Sequence, residues 1–313
     1  MRRNHDVSQY ILAAKKRTVF ALILIVVIIP ITLFLGFYFN KNDSYMLLSA
    51  VLILYTLLPF VLVFEHRKPK AREIVMLSSM SALTVCANLL CAFTVPVHAG
   101  TALVIISGIA LGPEAGFLVG ALSRFVCNFF TGQGPWTPWE MIAWGIIGFL
   151  AGVTFNKVDL DKVKSRDIKV IMGPIISIIA TLIFAYVIFL FTGKQGETFF
   201  GWRLYAYGMA GLVIGMLLQR HRLPVDSVTV PIYTLFSVFI IYGGIMNIAA
   251  LIMTNSVSPG DMQINFESLK LLYITGAPYD AMHAVGASVC VFLFGDSVIR
   301  KIERVKIKYG IYK

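Results

Sequence analysis

Charge and cysteine are both scarce in this 313-residue chain. Only 14% of its residues are Asp, Glu, Lys or Arg, and it holds four cysteines, Cys86, Cys91, Cys127 and Cys290. All four lie within apolar runs, which excludes a secreted disulfide framework. The short motifs that carry enzymatic chemistry are missing too: there is no Walker-type glycine loop, HExxH pair, GxSxG elbow or spaced Cys/His cluster. The chain is therefore expected to have no catalytic residue, no metal site and no cofactor.

What it has is hydrophobicity. Apolar residues make up 58% of the sequence and the mean hydropathy is +0.80, far outside the balance of a soluble domain. A spanning helix needs roughly 20 residues to cross a hydrocarbon core of about 30 Å, so about ten crossings consume most of the chain. Little is left for a soluble domain. The expected fold class is all-α, a polytopic membrane helical bundle of about ten transmembrane helices.

Apolar runs between charged or Pro/Gly breaks predict helices near residues 18–39, 44–64, 73–92, 99–111, 114–130, 138–155, 169–191, 203–219, 227–253 and 280–299. Residues 99–130 have a competing interpretation as one bent crossing, because only Gly112, Pro113 and Glu114 separate the two short runs. Ten crossings with both termini cytoplasmic place 22 of the 27 Lys and Arg residues inside. Outside remain Lys41, Lys194, Arg203 and Lys270, with Arg124 inside a span. That asymmetry obeys the positive-inside rule, whereas merging 99–130 puts later basic loops on the wrong side. The net charge of +11 then reflects cytoplasmic anchoring at a lipid bilayer, and no nucleic-acid motif competes with it. The first apolar run is too long for a signal-peptide core and is expected to be retained.

The stretch 96–155 is rich in glycine, and its few polar residues are oddly placed. Gly112, Gly116 and Gly120 recur at spacing four, and the stripe continues through Arg124 to Asn128. Small residues let helix backbones approach closely in lipid, so the glycines read as packing. Arg124 is different: a cation within a span is costly and faces a ligand site, a structural partner or the interface. The loop that follows reads Thr131, Gly132, Gln133, Gly134, Pro135, Trp136, Thr137, Pro138, Trp139, Glu140. Thr137 is expected as N-cap, with Pro138 first in the helix and Glu140 returning to close a capping box. Trp136 and Trp139 are expected at the outer surface, as interfacial anchors or stacked on a flat heterocyclic ligand whose edge Asn128 and Gln133 fix.

Asp280 and His283 lie three apart at the expected outer start of the last span, and Asn247 lies in the outer half of the ninth. They are read as ligand contacts or as a local pair or cap, whereas His98 is expected to be an exposed loop residue. On the third span Ser78, Ala82 and Cys86 form a seam of small residues, suited to internal packing or to another membrane protein sliding along it. Trp139, Ala143, Gly145, Gly148 and Gly152 recur 63 positions on as Trp202, Ala206, Gly208, Gly211 and Gly215, an echo read as similar packing. The connection 254–279 is long and mixed, which suggests a lid.

Residues 72–155 resemble the substrate-binding S component of energy-coupling factor (ECF) transporters. The likeness rests on 108–120, Asn128, the run Gly132, Gln133, Gly134, Pro135, Trp136, Thr137, Pro138, Trp139, and on Ala143, Trp144, Gly145 and Gly148. The end of the chain, with Asp280, His283, Ala284 and a basic tail, resembles that family's last helix. The resemblance implies a six-helix S-component-like core and a bacterial cell membrane protein that captures a vitamin or related micronutrient. Its partners would be a transmembrane coupling protein (T component) and two cytoplasmic ATPases. It also implies that Ser78, Ala82 and Cys86 touch the coupling protein. The Trp loop resembles S components proposed for corrinoids, which points to cobalamin or a precursor, although Glu140 and Arg124 depart from the expected pattern. The organisation is then an N-terminal transmembrane hairpin and linker (1–70), core helices 1–4 (71–156), an inserted hairpin (157–224), and core helices 5–6 with a basic tail (225–313). Two rival functions are a self-sufficient secondary carrier using Arg124 and the faint repeat, and a lipid enzyme with Asp280 and His283 as acid and base.

Overall fold

The computed structural model describes residues 70–94, 97–155, 168–193, 198–218, 225–257 and 266–311, with a few isolated positions elsewhere. The helices expected at 18–39 and 44–64, and with them the N-terminal hairpin, lie outside the described residues. The described part is all-helical.

Eight continuous helices follow in order: α1 Ala71–Thr94, α2 Ala99–Leu111, α3 Pro113–Thr131, α4 Thr137–Thr154, α5 Ile168–Thr192, α6 Trp202–Leu218, α7 and α8. Helix α7 runs through Thr229–Ser237, the π-helical turn Val238–Tyr242 and Gly243–Val257. Helix α8 is unbroken over Phe266–Tyr309, with a second π-turn at Val291–Gly295. Four of these are long and apolar enough to cross a membrane: Ala71–Ala92, Ile175–Thr192, Thr229–Leu251 and Phe266–Tyr309.

Helix α2 is the centre of the bundle. Twelve of its 13 residues, Gly100 through Leu111, are buried, as expected for a helix apolar on every side. Its length of about 20 Å at 1.5 Å per residue falls short of a full crossing. Gly112 has φ +102° and Pro113 opens α3. The left-handed glycine turns the chain back on itself, so 99–130 is two helices rather than one bent rod.

Glycine sets the spacing of α2, α3 and α4. A Cβ on Gly108 or Gly116 would run into the backbone of Gly148, one on Gly120 into that of Trp144, and one on Gly152 into Pro113. These are helix backbones in van der Waals contact, the packing the stripe called for. The echo in α6 behaves similarly with other partners: Gly211 abuts Ile178 and Thr181 of α5, and Gly208 abuts Ile240 of α7. Helix α5 carries an apolar exposed surface, including Ile176, Ile183, Phe184, Leu190 and Phe191, a composition suited to lipid.

The last helix departs from expectation. Residues 280–299 were to be the span and 254–279 a lid, but helix begins at Phe266 and passes through Pro278 without a break. The segment 266–279 is therefore part of α8, and 258–265 lies outside the described residues. The basic tail is helical too. Arg72 of α1 donates to the carbonyl of Tyr309 at 3.0 Å. Lys306 donates to the carbonyl of Ala110 near the end of α2 and pairs with Glu303, a cation at a helix C-terminus.

Candidate functional site

The two ends of the bundle are chemically unlike. At one lie the basic residues of the α8 tail, the start of α1 and the end of α2. At the other converge the start of α2, the end of α3, the starts of α4 and α6, and the middle portions of α7 and α8. Six of the eight residues proposed from sequence as substrate contacts, Arg124, Asn128, Gln133, Asn247, Asp280 and His283, lie at this second end in two clusters.

The first cluster locks α3 to α4. Arg124 grips Glu140 with both arms, Nε to Oε2 at 2.8 Å and Nη2 to Oε1 at 2.6 Å. Asn128 Nδ2 donates to the same Glu140 Oε2 at 2.8 Å and to Thr137 Oγ1 at 3.0 Å. Thr137 in turn donates to Gln133 Oε1 at 2.9 Å and accepts from the Gly134 N–H at 3.2 Å. Gln133 Nε2 reaches the carbonyl of Phe125 at 3.0 Å. A bidentate guanidinium–carboxylate pair with further donors is the form in which buried charge is tolerated. Arg124 is thus structurally paired, with its guanidinium 5.2 Å above the Trp144 ring.

Two loop expectations need correction. Helix α4 begins at Thr137 with Trp136 in the cap position, without a side-chain cap bond. Glu140 does not close a capping box, because the stronger attraction of Arg124 turns it the other way. Trp139 is not at the surface either: it is 0% exposed, against 39% for Trp136. Trp136 sits at the cap position, outside the helix, with its indole folded over Gly134, whereas Trp139 lies within α4 and is enclosed in the core. The indole N–H groups of Trp139 and Trp144 have no partner among the described residues.

The second cluster surrounds Asp280. Its Oδ2 accepts from the Tyr205 hydroxyl at 2.6 Å and from Asn247 Nδ2 at 2.8 Å, and Asn247 also donates to the carbonyl of Gly243 at 2.7 Å. The Tyr205 ring stacks on Phe239, centroids 5.0 Å apart, and leans on Tyr273 at 4.6 Å. One turn along α8, His283 Nε2 meets Thr101 Oγ1 at 2.8 Å. The ring of His283 lies 3.9 Å from that of His98 and edge-on to Tyr242 at 4.3 Å. His98, expected as an exposed loop residue, is half-buried against His283, because the start of α2 abuts α8. Burial first, and then the positive charge of Arg124, hold its pKa below the ordinary imidazole value. Asp280 and His283 engage separate partners.

Tyr242, edge-on to His283, belongs to the second cluster. Sequence reading missed Tyr205, Tyr242 and Thr101. Tyr205 carried a signal, a polar aromatic inside a predicted span, but nothing tied it to Asp280. The seam on α1 is resolved as a surface: Ser78, Ala82 and Cys86 are exposed, while Leu77, Met80, Thr84 and Asn88 turn inward.

Fold and site together define a membrane-embedded helical bundle that gathers its sparse polar groups at one end. Residues 68–198 match the family model described as ECF-type riboflavin transporter, S component. The match runs through α5, which the sequence reading had placed in an inserted hairpin, and stops before α6. Similar curated proteins include the UPF0397 proteins of Aliivibrio fischeri strains MJ11 and ES114, each 31% identical over 85 residues. A UPF0397 protein of Vibrio atlanticus is 32% identical over 85 residues. Each alignment covers 24% of this chain and 46% of the relative, so the chain spans about half the length of the curated relatives it matches. No solved structure matches the chain.

Proposed function

We propose that this chain is the substrate-capturing subunit of an ECF-type importer in a bacterial cell membrane. It takes a flat, vitamin-like small molecule at the polar end of the bundle. The observation that carries this reading is the convergence of Arg124, Asn128, Gln133, Trp136, Asn247, Asp280 and His283 at that end, in a bundle otherwise built from apolar residues. Polar groups are costly in lipid and are kept where they meet substrate or one another. The basic end faces the cytoplasm, which leaves the polar end outside and both termini inside.

The exposed seam of Ser78, Ala82 and Cys86 is the contact for a transmembrane coupling protein, itself driven by two cytoplasmic ATPases. Small side chains let a partner helix approach and slide. The matched family's description names riboflavin, so riboflavin is the first substrate to try. Cobalamin, favoured by the resemblance of the Trp loop, is the second. Burial of Trp139 removes half of the stacking pair that a large corrin ring would use.

The test is a titration of the purified full chain in nanodiscs, followed through tryptophan and flavin fluorescence. Riboflavin should give saturable quenching, and Trp136→Phe should remove most of the tryptophan response. If well-folded protein responds to neither riboflavin nor cobalamin, the capture reading fails.

A further inference from the structure

Asp280 sits in helix α8, 8% exposed, in a region of the chain beyond the family match. Both of its hydrogen bonds end on one oxygen. Tyr205 and Asn247 donate to Oδ2, while Oδ1 takes no hydrogen bond from any described residue. The asymmetry is built. The 2.6 Å bond from Tyr205 is in the short range of a hydroxyl meeting a carboxylate. The Tyr205 ring is held between Phe239 and Tyr273. The orientation of the Asn247 amide is fixed as well, because a flipped amide would set its oxygen against the carboxylate. Gly243 and Gly276 clear the flanks: a Cβ on the first would strike the Asp280 carboxylate, and on the second the Asn247 amide.

A largely buried carboxylate held through one oxygen keeps the lone pairs of the other free and fixed in direction, ready for a donor that a ligand brings. Resting on the capture reading above, we infer that Asp280 Oδ1 accepts a hydrogen bond from a ring N–H at the edge of the bound substrate. Tyr205, from helix α6, is the positioning residue that aims it. Helix α6 would then complete the binding site rather than merely pad the bundle. Riboflavin meets the requirement through the imide N–H of its isoalloxazine ring, whereas 3-methylriboflavin has the same ring with that donor replaced by a methyl group.

The experiment measures the affinity of the full chain in nanodiscs for riboflavin, 3-methylriboflavin and cobalamin. Wild type, Tyr205→Phe and Asp280→Asn are compared, with a thermal melt on each to establish folding. Wild type should prefer riboflavin to its methylated form by at least tenfold. Tyr205→Phe keeps the stacked ring and should lose most of that preference, a ratio that loss of packing alone would not move. Asp280→Asn should abolish it and serves as the second variant if Tyr205→Phe melts early. Equal binding of the two flavins by wild type, or an unchanged ratio in both variants, overturns the inference while leaving capture intact. Binding of cobalamin without riboflavin also overturns it. Binding of neither vitamin by folded wild type defeats the capture reading and the inference together.

Discussion

Glu140 holds the loop between α3 and α4 because two donors, Arg124 and Asn128, end on its carboxylate. Removing the charge strands a guanidinium in a mostly apolar setting, and breaking such a buried pair costs about 3 kcal/mol. Glu140→Gln should therefore lower the melting temperature clearly. The double variant with Arg124→Gln should lose less than the sum of the two singles, the signature of direct coupling; additive losses would contradict the pairing. His98 supports a pH prediction. The fold lowers the pKa of its imidazole, so as pH falls through the unfolded value of about 6.5 the unfolded chain binds more protons than the folded one. Stability should be intact above that value and decline as pH falls through it, and a thermal melt of His98→Gln between pH 7.5 and 5.5 should show a shallower decline than wild type. At this scale the sequence exposed Arg124 as anomalous, since a cation in an apolar run is conspicuous. It could not show that the partner was Glu140, 16 residues away on the next helix, nor that Tyr205 meets Asp280 across 75 residues.

Among the helices, glycine decides how closely α2, α3 and α4 approach. Gly148 touches the backbone of Gly116 and the side chain of Val104, so Gly148→Val must push helices apart, at an overpacking cost of about 1–3 kcal/mol or more. Gly244 of α7 has no heavy atom within 4 Å of where a Cβ would sit. Gly244→Ala should be neutral or stabilising by up to ~1 kcal/mol through helix propensity. Comparing the yields of folded, monodisperse Gly148→Val and Gly244→Ala checks both, and equal loss would mean the close approach is not what matters. Helix existence was legible from hydropathy: 99–111 is reproduced and most other boundaries shift by a few residues. The start of α8 was not, because two prolines, two glycines and a mixed composition over 254–279 imitate a loop. Nor were the π-turns at Val238–Tyr242 and Val291–Gly295. Each shifts the helical phase, so a face read from a 3.6-residue period before the turn does not continue after it.

For the molecule as a whole, the proposed coupling contact on the exposed seam of α1 is open to test. If the coupling protein slides along Ser78, Ala82 and Cys86, then Ala82→Trp should leave vitamin affinity unchanged and abolish co-purification with a co-expressed coupling protein and its ATPases. Retained co-purification would place the contact elsewhere. The sequence by itself determined that this chain lives in a bilayer, that it is helical, and roughly where its helices lie. Hydropathy and charge bias are local or additive properties, readable without knowing which helices are neighbours. Only the tertiary structure decided that Arg124 is matched by Glu140, that Trp139 is enclosed while Trp136 is not, that His98 leans on His283, and that Tyr205 and Asn247 converge on one oxygen of Asp280. Those outcomes depend on contacts between helices far apart in the chain, and a one-dimensional pattern does not specify which distant side chain will satisfy a buried charge.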